Sequence, residues 1–314
     1  MTTDSLALVT DGQNASALSE TLPWLDSPAP VTPRRLAFNL AEIDVRWDED
    51  KGTLWSFMTP RDRPSFSPGL LRDLRSWQDE IKRSFREDDA LQFVVLGSRF
   101  PGAFNLGGDL GYVSQQALDG NREALQTYGN ACVDILFQNM QQLELPIITI
   151  ALVQGDCFGG GFEAALSFNL IVAERQSRFA LPETMFGMFP GVGAHSILSR
   201  RLSVAKAEQL MMSGKTYSAE EMYELGLVQI LAEPGEGEKA VADYIRRTSG
   251  QHSGHCGIYR ASREINPVTL DELRRVVDIW ADTAIRLKPK NVKLMRRLAE
   301  AQSRLTTSRT AVPS

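Results

Sequence analysis

Three cysteines, Cys132, Cys157 and Cys256, and three histidines are all that the 314-residue sequence offers for thiol or imidazole chemistry. The cysteines are odd in number and far apart, which excludes a disulfide scaffold and fits a reducing, cytoplasmic compartment. No window approaches the roughly 18 uncharged apolar residues of a membrane span. The N-terminus lacks the basic start and apolar core of a secretory signal, so a soluble chain is expected. No G-x-x-x-x-G-K-[ST] occurs, which excludes a Walker-type phosphate loop, and neither "GSRFPG" nor "GVGAHS" forms a dinucleotide fingerprint. "HSGHC" (252–256) has no second ligand cluster at zinc spacing; no metal site is expected, and the segment reads as a solvated loop.

What is present is globular. The hydrophobic share of 43% is too high for disorder, and the length allows one large domain or two ordinary ones. The net charge of −5 is unevenly spread. Residues 1–33 carry −4, and the stretch from Arg286 to Arg309 carries +7 from eight bases and Glu300, which leaves −8 for the body. The first 34 residues, rich in Ser, Thr, Asp and Pro, read as a mobile leader.

Next, "AEIDVRWDED" and "TLWSFMTP" predict two strands about the acidic turn Asp48–Lys51. A helix follows with Ser67 as N-cap, Pro68 at its first position, and Leu70, Leu74, Trp77 and Ile81 on one face. "LQFVVLGSR" (91–99) predicts a strand buried on both faces, and it ends in the glycine-rich loop "GAFNLGGDL" (102–110). A helix over about 121–143 leads to a second buried run, "IITIALVQG" (147–155), and to a second glycine-rich loop, "GDCFGGGFEAAL" (155–166). A third pass, "NLIVAE" (169–174), precedes "LPETMFGMFPGVGA" (181–194). Strand, glycine loop and helix thus recur, the pattern of an α/β body. Helical signals dominate after 195. They include a capping box at Ser218 and Glu221, a stop at Gly226, and a cap at Thr269 before the stripe Leu273, Val276, Val277, Trp280 and Ala284. After Pro289, Leu294, Leu298, Ala301 and Leu305 predict another apolar stripe.

The glycine loops are where chemistry is expected. A buried strand turning through Gly159, Gly160 and Gly161 into a helix leaves unpaired N–H groups at the helix start, and Gly107 and Gly108 offer another after the preceding strand. Two donors converging on one point would make an oxyanion hole. Glu163 and Glu183 both sit in otherwise apolar segments beside these loops. Paired carboxyls in such surroundings separate into one proton donor and one acceptor. A rival is the G-x-C-x-G pattern at Gly155–Gly159, the cysteine form of a nucleophile elbow, with His195, His252 or His255 as base. That pattern is short and common, and a Cys in a packed turn ordinarily serves as a small hydrophobe.

"FNLGGDL", then "ALVQGDCFGGGFEAAL", "LPETMFGMFPGVGA" and "AEEMYELGLV", resemble the crotonase (enoyl-CoA hydratase/isomerase) superfamily over residues 37–308. With "GGGFEAALS", "IWADTA" and "RLAEAQSR" added, the sequence is similar to the RpfF-type diffusible-signal-factor synthases of bacterial quorum sensing. The resemblance implies an α/β fold: a crotonase-like spiral core of ββα turns over 35–230 and a C-terminal helical region over 231–314, commonly assembled as trimers. It places the oxyanion N–H groups at Gly108 and Gly160 and the catalytic carboxyls at Glu163 and Glu183. Phe158, Trp280 and Leu298 fall at walls of the acyl pocket, Phe158 being bulkier than the Leu expected there. Such enzymes dehydrate a 3-hydroxyacyl thioester on acyl carrier protein and then hydrolyse it, releasing a cis-2-unsaturated fatty acid without a cofactor. Family members can be restrained by a membrane sensor kinase. The alternatives are an ordinary enoyl-CoA hydratase or isomerase working on CoA esters, and a crotonase scaffold that only binds.

Overall fold

The computed structural model describes residues 36–307, so the leader expected over 1–34 lies outside the described residues. The first hairpin forms where the alternating pattern places it. β1 (Ile43–Asp48) pairs antiparallel with β2 (Thr53–Met58), and between them Asp48 caps a single 3-10 turn that Gly52 closes at φ 54°. Helix α1 (Pro68–Phe85) begins where Ser67 Oγ accepts from Leu70 N–H at 3.0 Å, with Pro68 supplying a fixed φ and no orphan N–H. Its apolar face is buried, and Trp77 Nε1 donates to Ser56 Oγ at 2.8 Å, fastening the helix to β2.

One pattern then repeats. β3 (Phe93–Ser98), β4 (Ala103–Asn105), α2 (Leu110–Leu118) and α3 (Arg122–Met140) make one turn. The next is β5 (Ile148–Val153), β6 (Asp156–Phe158) and α4 (Gly160–Leu166). β7 (Leu170–Glu174), β8 (Arg178–Ala180), α5 (Ala194–Arg201) and α6 (Val204–Ser213) make a third, closed by β9 (Thr216–Ser218), α7 (Ala219–Glu224) and β10 (Ile230–Ala232). Helices α8 (Gly237–Thr248), α9 (His252–Ile265), α10 (Leu270–Ala284) and α11 (Pro289–Thr307) complete the described chain.

The long strands form a six-stranded sheet, β1-β2-β3-β5-β7-β10, parallel from β2 onward. The short strands form a second sheet, β4-β6-β8-β9. This is the ββα spiral. β3 and β5 are buried along their whole length, as uninterrupted apolar runs require.

Four expectations need correction. The segments read as glycine loops each carry a three-residue strand, β4 and β6, too short to show a period between their glycines. The helix expected to reach residue 143 stops at Met140, because Gln142, Leu143 and Glu144 all take positive φ. Burial holds them there: Leu143 and Gln142 are sealed from solvent, the Gln142 amide donates to the Ile147 carbonyl, and Arg263 Nη1 donates to the half-buried end of α3 at Met140 O.

"HSGHC" is no loop. It opens α9, despite Gly254 and Gly257, because His252 Nε2 meets the Gln92 carbonyl at 2.9 Å and Cys256 is buried against the large sheet. On α11 the buried seam is Val292, Met295 and Ala299. The predicted stripe Leu294, Leu298 and Ala301 lies beside that seam and faces a cavity instead, and the Leu305 side chain lies outside the described residues.

Candidate active site

The two glycine-bearing turns meet backbone to backbone. Gly107 has φ 95°, and a Cβ on it would lie 2.9 Å from Gly160 N and 3.1 Å from the Phe158 carbonyl. A Cβ on Gly160 would lie 3.4 Å from Gly108 N. The Gly108 and Gly160 nitrogens therefore sit side by side. Gly160 is the first residue of α4, where N–H groups have no intrahelical acceptor. Around Gly108 the neighbours are engaged. Gly107 N–H donates to Asn105 Oδ1 at 2.8 Å, the Gly107 carbonyl accepts from Phe66 N–H at 2.8 Å, and Asp109 N–H donates to the Tyr128 hydroxyl at 2.9 Å.

Glu163 rises from the first turn of α4 and is 2% exposed. Its Oε1 accepts from Val192 N–H at 3.0 Å and Ala194 N–H at 2.9 Å, so the carboxyl plugs the N-terminus of α5. Burial pushes its pKa up to about 7, and the backbone N–H groups of residues 192–194 hold it from going higher.

Glu183 lies on a 3-10 turn, Glu183–Phe186, that Gly187 closes at φ 78°. Its Oε1 stands 2.6 Å from where a Gly159 Cβ would be, and Gly159 itself has φ 53°. Its Oε2 is buried with no hydrogen-bond partner among the described residues. Desolvation, and then the Glu163 charge, push its pKa well above the usual carboxyl range. Of the two, Glu163 accepts from the backbone N–H groups of residues 192–194 while Glu183 has only its own backbone N–H, so the pair near neutral pH keeps its proton on Glu183.

Glu163, Glu183, Gly108 and Gly160 all line a cavity of about 450 Å³ whose other walls are almost wholly apolar. Phe158 lines it from β6. Trp280 of α10 lines it and lies against Gly191, where a Cβ would come within 2.3 Å of the indole. Leu298 lines it from α11 while remaining 37% exposed.

The rival nucleophile is not brought into this cavity. Cys157 is sealed in β6 with its side chain off the cavity wall, burial holds its thiol protonated with a pKa well above the ordinary value, and the turn into α4 is made by Gly159. His195 is turned to solvent beside Glu208. Sequence reasoning missed two parts of the site. Val192 and Ala194 hold Glu163, and the "GVGA" run at a helix start was a signal for that. Tyr128, in mid-helix, carried no local signal.

The enoyl-CoA hydratase/isomerase family model matches residues 58–244, well over half of the chain. The chain belongs to the enoyl-CoA hydratase/isomerase family. Among curated relatives, an enoyl-CoA isomerase/hydratase of Zymoseptoria tritici is 28% identical over 274 residues, covering 86% of this chain and 79% of that protein. A short-chain-enoyl-CoA hydratase of Clostridium acetobutylicum is 29% identical over 175 residues, 55% of this chain. The chain spans only 58% and 64% of the lengths of the first curated relatives. A crystal structure of an enoyl-CoA hydratase/isomerase from Mycobacterium paratuberculosis superposes with a TM-score of 0.70 at 17% identity, over 83% of this chain and all of that one, which shows the shared crotonase fold. No helix among the described residues is long and apolar enough to cross a membrane.

Proposed function

We propose that this enoyl-CoA hydratase/isomerase family member works on acyl thioesters, with the thioester oxygen held by the Gly108 and Gly160 N–H groups and with Glu163 and Glu183 as the catalytic pair. One observation carries the reading: two buried carboxyls and the two adjoining turns at Gly108 and Gly160 share one apolar cavity. An oxygen that turns negative, as in an enolate or a tetrahedral intermediate, gains on the order of 3 kcal/mol from each such donor. With the proton resting on Glu183, Glu163 is the group that activates water, for addition to an enoyl thioester or for hydrolysis. In loss of water from a 3-hydroxyacyl thioester two protons move: the ionised glutamate takes the C2 proton and the protonated one gives its proton to the departing C3 hydroxyl, so the pair still holds one proton in all.

The specific reaction we infer is the one the signal-synthase resemblance implies. A 3-hydroxyacyl group on acyl carrier protein loses a C2 proton and its C3 hydroxyl as water. Hydrolysis of the resulting cis-2-enoyl thioester then yields the free acid and the carrier thiol. Charge supports the carrier as partner. Arg286, Lys288, Lys290, Lys293, Arg296, Arg297 and Arg304 are all exposed on α11 and the turn before it, and α11 also walls the cavity. Three of these bases, Arg286, Lys288 and Lys290, line a surface groove of about 600 Å³. An acidic carrier protein is attracted to such a face. The family match favours a second reading, reversible hydration of CoA esters.

Incubation with a 3-hydroxyacyl carrier protein and, separately, with the matching CoA ester distinguishes them. Free cis-2-enoic acid released from the carrier substrate is the expected result. Reversible hydration of the CoA ester without release of acid replaces the synthase reading with the hydratase one. In the carrier assay at low salt, Arg296→Glu combined with Arg297→Glu is expected to raise KM severalfold. An unchanged KM rejects the docking face.

A further inference from the structure

The turn that presents Gly108 is held by a side chain remote in sequence. Tyr128 of α3 is buried, and its hydroxyl makes two bonds to main chain, donating to the Phe66 carbonyl at 2.7 Å and accepting from Asp109 N–H at 2.9 Å, with the buried Cys132 thiol also beside it. These two partners flank Gly108. Phe66 is bridged to Gly108 in the manner of parallel strands, and Asp109 is the next residue. The hydroxyl oxygen also lies 3.3 Å from where a Gly108 Cβ would be, and Tyr128 itself lines the cavity.

The far side of the turn is equally fixed. The Asp109 carboxylate accepts from Tyr112 N–H at 3.0 Å and pairs with Arg63 at 3.1 Å, which leaves the Asp109 backbone little room to rotate. A hydroxyl rotor has one proton and its direction is set by the acceptor it meets. Here the proton points to Phe66 O, so a lone pair points to Asp109 N–H. Burial raises the phenol pKa well above its ordinary value, which keeps that proton in place.

We propose that Tyr128 is a positioning residue for the oxyanion donor: its hydroxyl clamps Phe66 to Asp109 and thereby aims the Gly108 N–H between them into the cavity. The proposal rests on the oxyanion reading given above. Filling the core does not call for a hydroxyl at 128, since a phenyl ring fills all but the space of one oxygen atom. Aiming a backbone N–H does call for one, because a peptide plane held on one side only can turn away from the ligand.

The test compares two unreactive analogues of the acyl thioester, a ketone that keeps the carbonyl oxygen and a thioether that lacks it. Wild-type protein is expected to bind the ketone more tightly. Tyr128→Phe is expected to lose roughly tenfold of that preference, the size of one well-made hydrogen bond, read as the ratio of the ketone and thioether affinities. A role in packing alone would shift both ligands together or neither, and either result overturns the proposal. A protein with 3,5-difluorotyrosine at 128 keeps the ring and both bonds but weakens the hydroxyl as an acceptor. It is expected to lose part of the preference, and full retention there also overturns the clamp. If wild type itself shows no preference for the ketone, the oxyanion reading fails and takes this proposal with it. A preference present in wild type and intact in both Tyr128 variants sinks the clamp alone.

Discussion

Exchange of Glu163 for Gln is expected to cut turnover roughly 10³-fold while leaving the protein at least as heat-stable as wild type above neutral pH. Both effects have one origin. Glu163 is buried, and its pKa rises from 4.5 to about 7 on folding. Below pH 4.5 folded and unfolded chains both hold the proton and the group adds nothing to stability. Between pH 4.5 and about 7 the unfolded chain has ionised while the folded protein still holds the proton in its dry site, so on the order of 3 kcal/mol of stability is lost across that window, complete once the folded group ionises. Gln cannot ionise and escapes that loss, while its Oε1 can still accept from Val192 and Ala194. Turnover in wild type is expected to be bell-shaped in pH. The acid limb near 7 comes from Glu163, and the alkaline limb comes from the proton leaving Glu183. Steady-state rates and Tm measured over the same pH range check both halves. Wild-type turnover in Glu163→Gln would remove the carboxylate from the mechanism, and a lower Tm at high pH would remove the burial argument.

Gly160→Pro is expected to lower kcat by roughly 10²–10³-fold in a protein that still folds. The first position of a helix is where proline is best tolerated, since its missing N–H has no intrahelical partner. Gly160 occupies that position in α4, and a Cβ there meets nothing closer than Gly108 N at 3.4 Å. The substitution therefore deletes one donor at the least structural cost. Gly160→Ala, which keeps the N–H, serves as the control for bulk. Equal loss in the two variants would mean that crowding, not the donor, matters. Circular dichroism and kcat on the three proteins decide it.

The parts of this architecture written in local pattern were legible in the sequence. Ser67–Pro68, the Ser218–Glu221 capping box and the continuous apolar run of β5 each act within one or two turns of chain. The placement of Glu163 and Glu183 beside the glycine turns was legible too, because charge in an apolar segment is conspicuous. Features fixed by distant partners were not. Nothing near His252 says that the Gln92 carbonyl will hold a helix start there, and nothing near Leu143 announces a left-handed backbone stabilised by burial. The apolar stripe of α11 was seen, but sequence could not say that its exposed-side members face a cavity while Val292, Met295 and Ala299 make the seam. Tyr128 belongs with these, since its role depends on residues 62 positions before it and 19 before it.

The two turns that supply Gly108 and Gly160 touch through bare main chain. A Cβ at Gly161 would fall 2.1 Å from the Asn105 carbonyl, and one at Gly155 would fall 2.4 Å from the Gly102 carbonyl carbon. At these points the main chains are too close to admit a side chain, so a residue other than glycine there would push the donors apart rather than retune them. Laboratory evolution toward other acyl groups will therefore find its accepted substitutions on the walls, around Phe158, Met185, Trp280 and Leu298. The glycine turns will stay the same from one selected variant to the next, a fixed tool in an exchangeable handle.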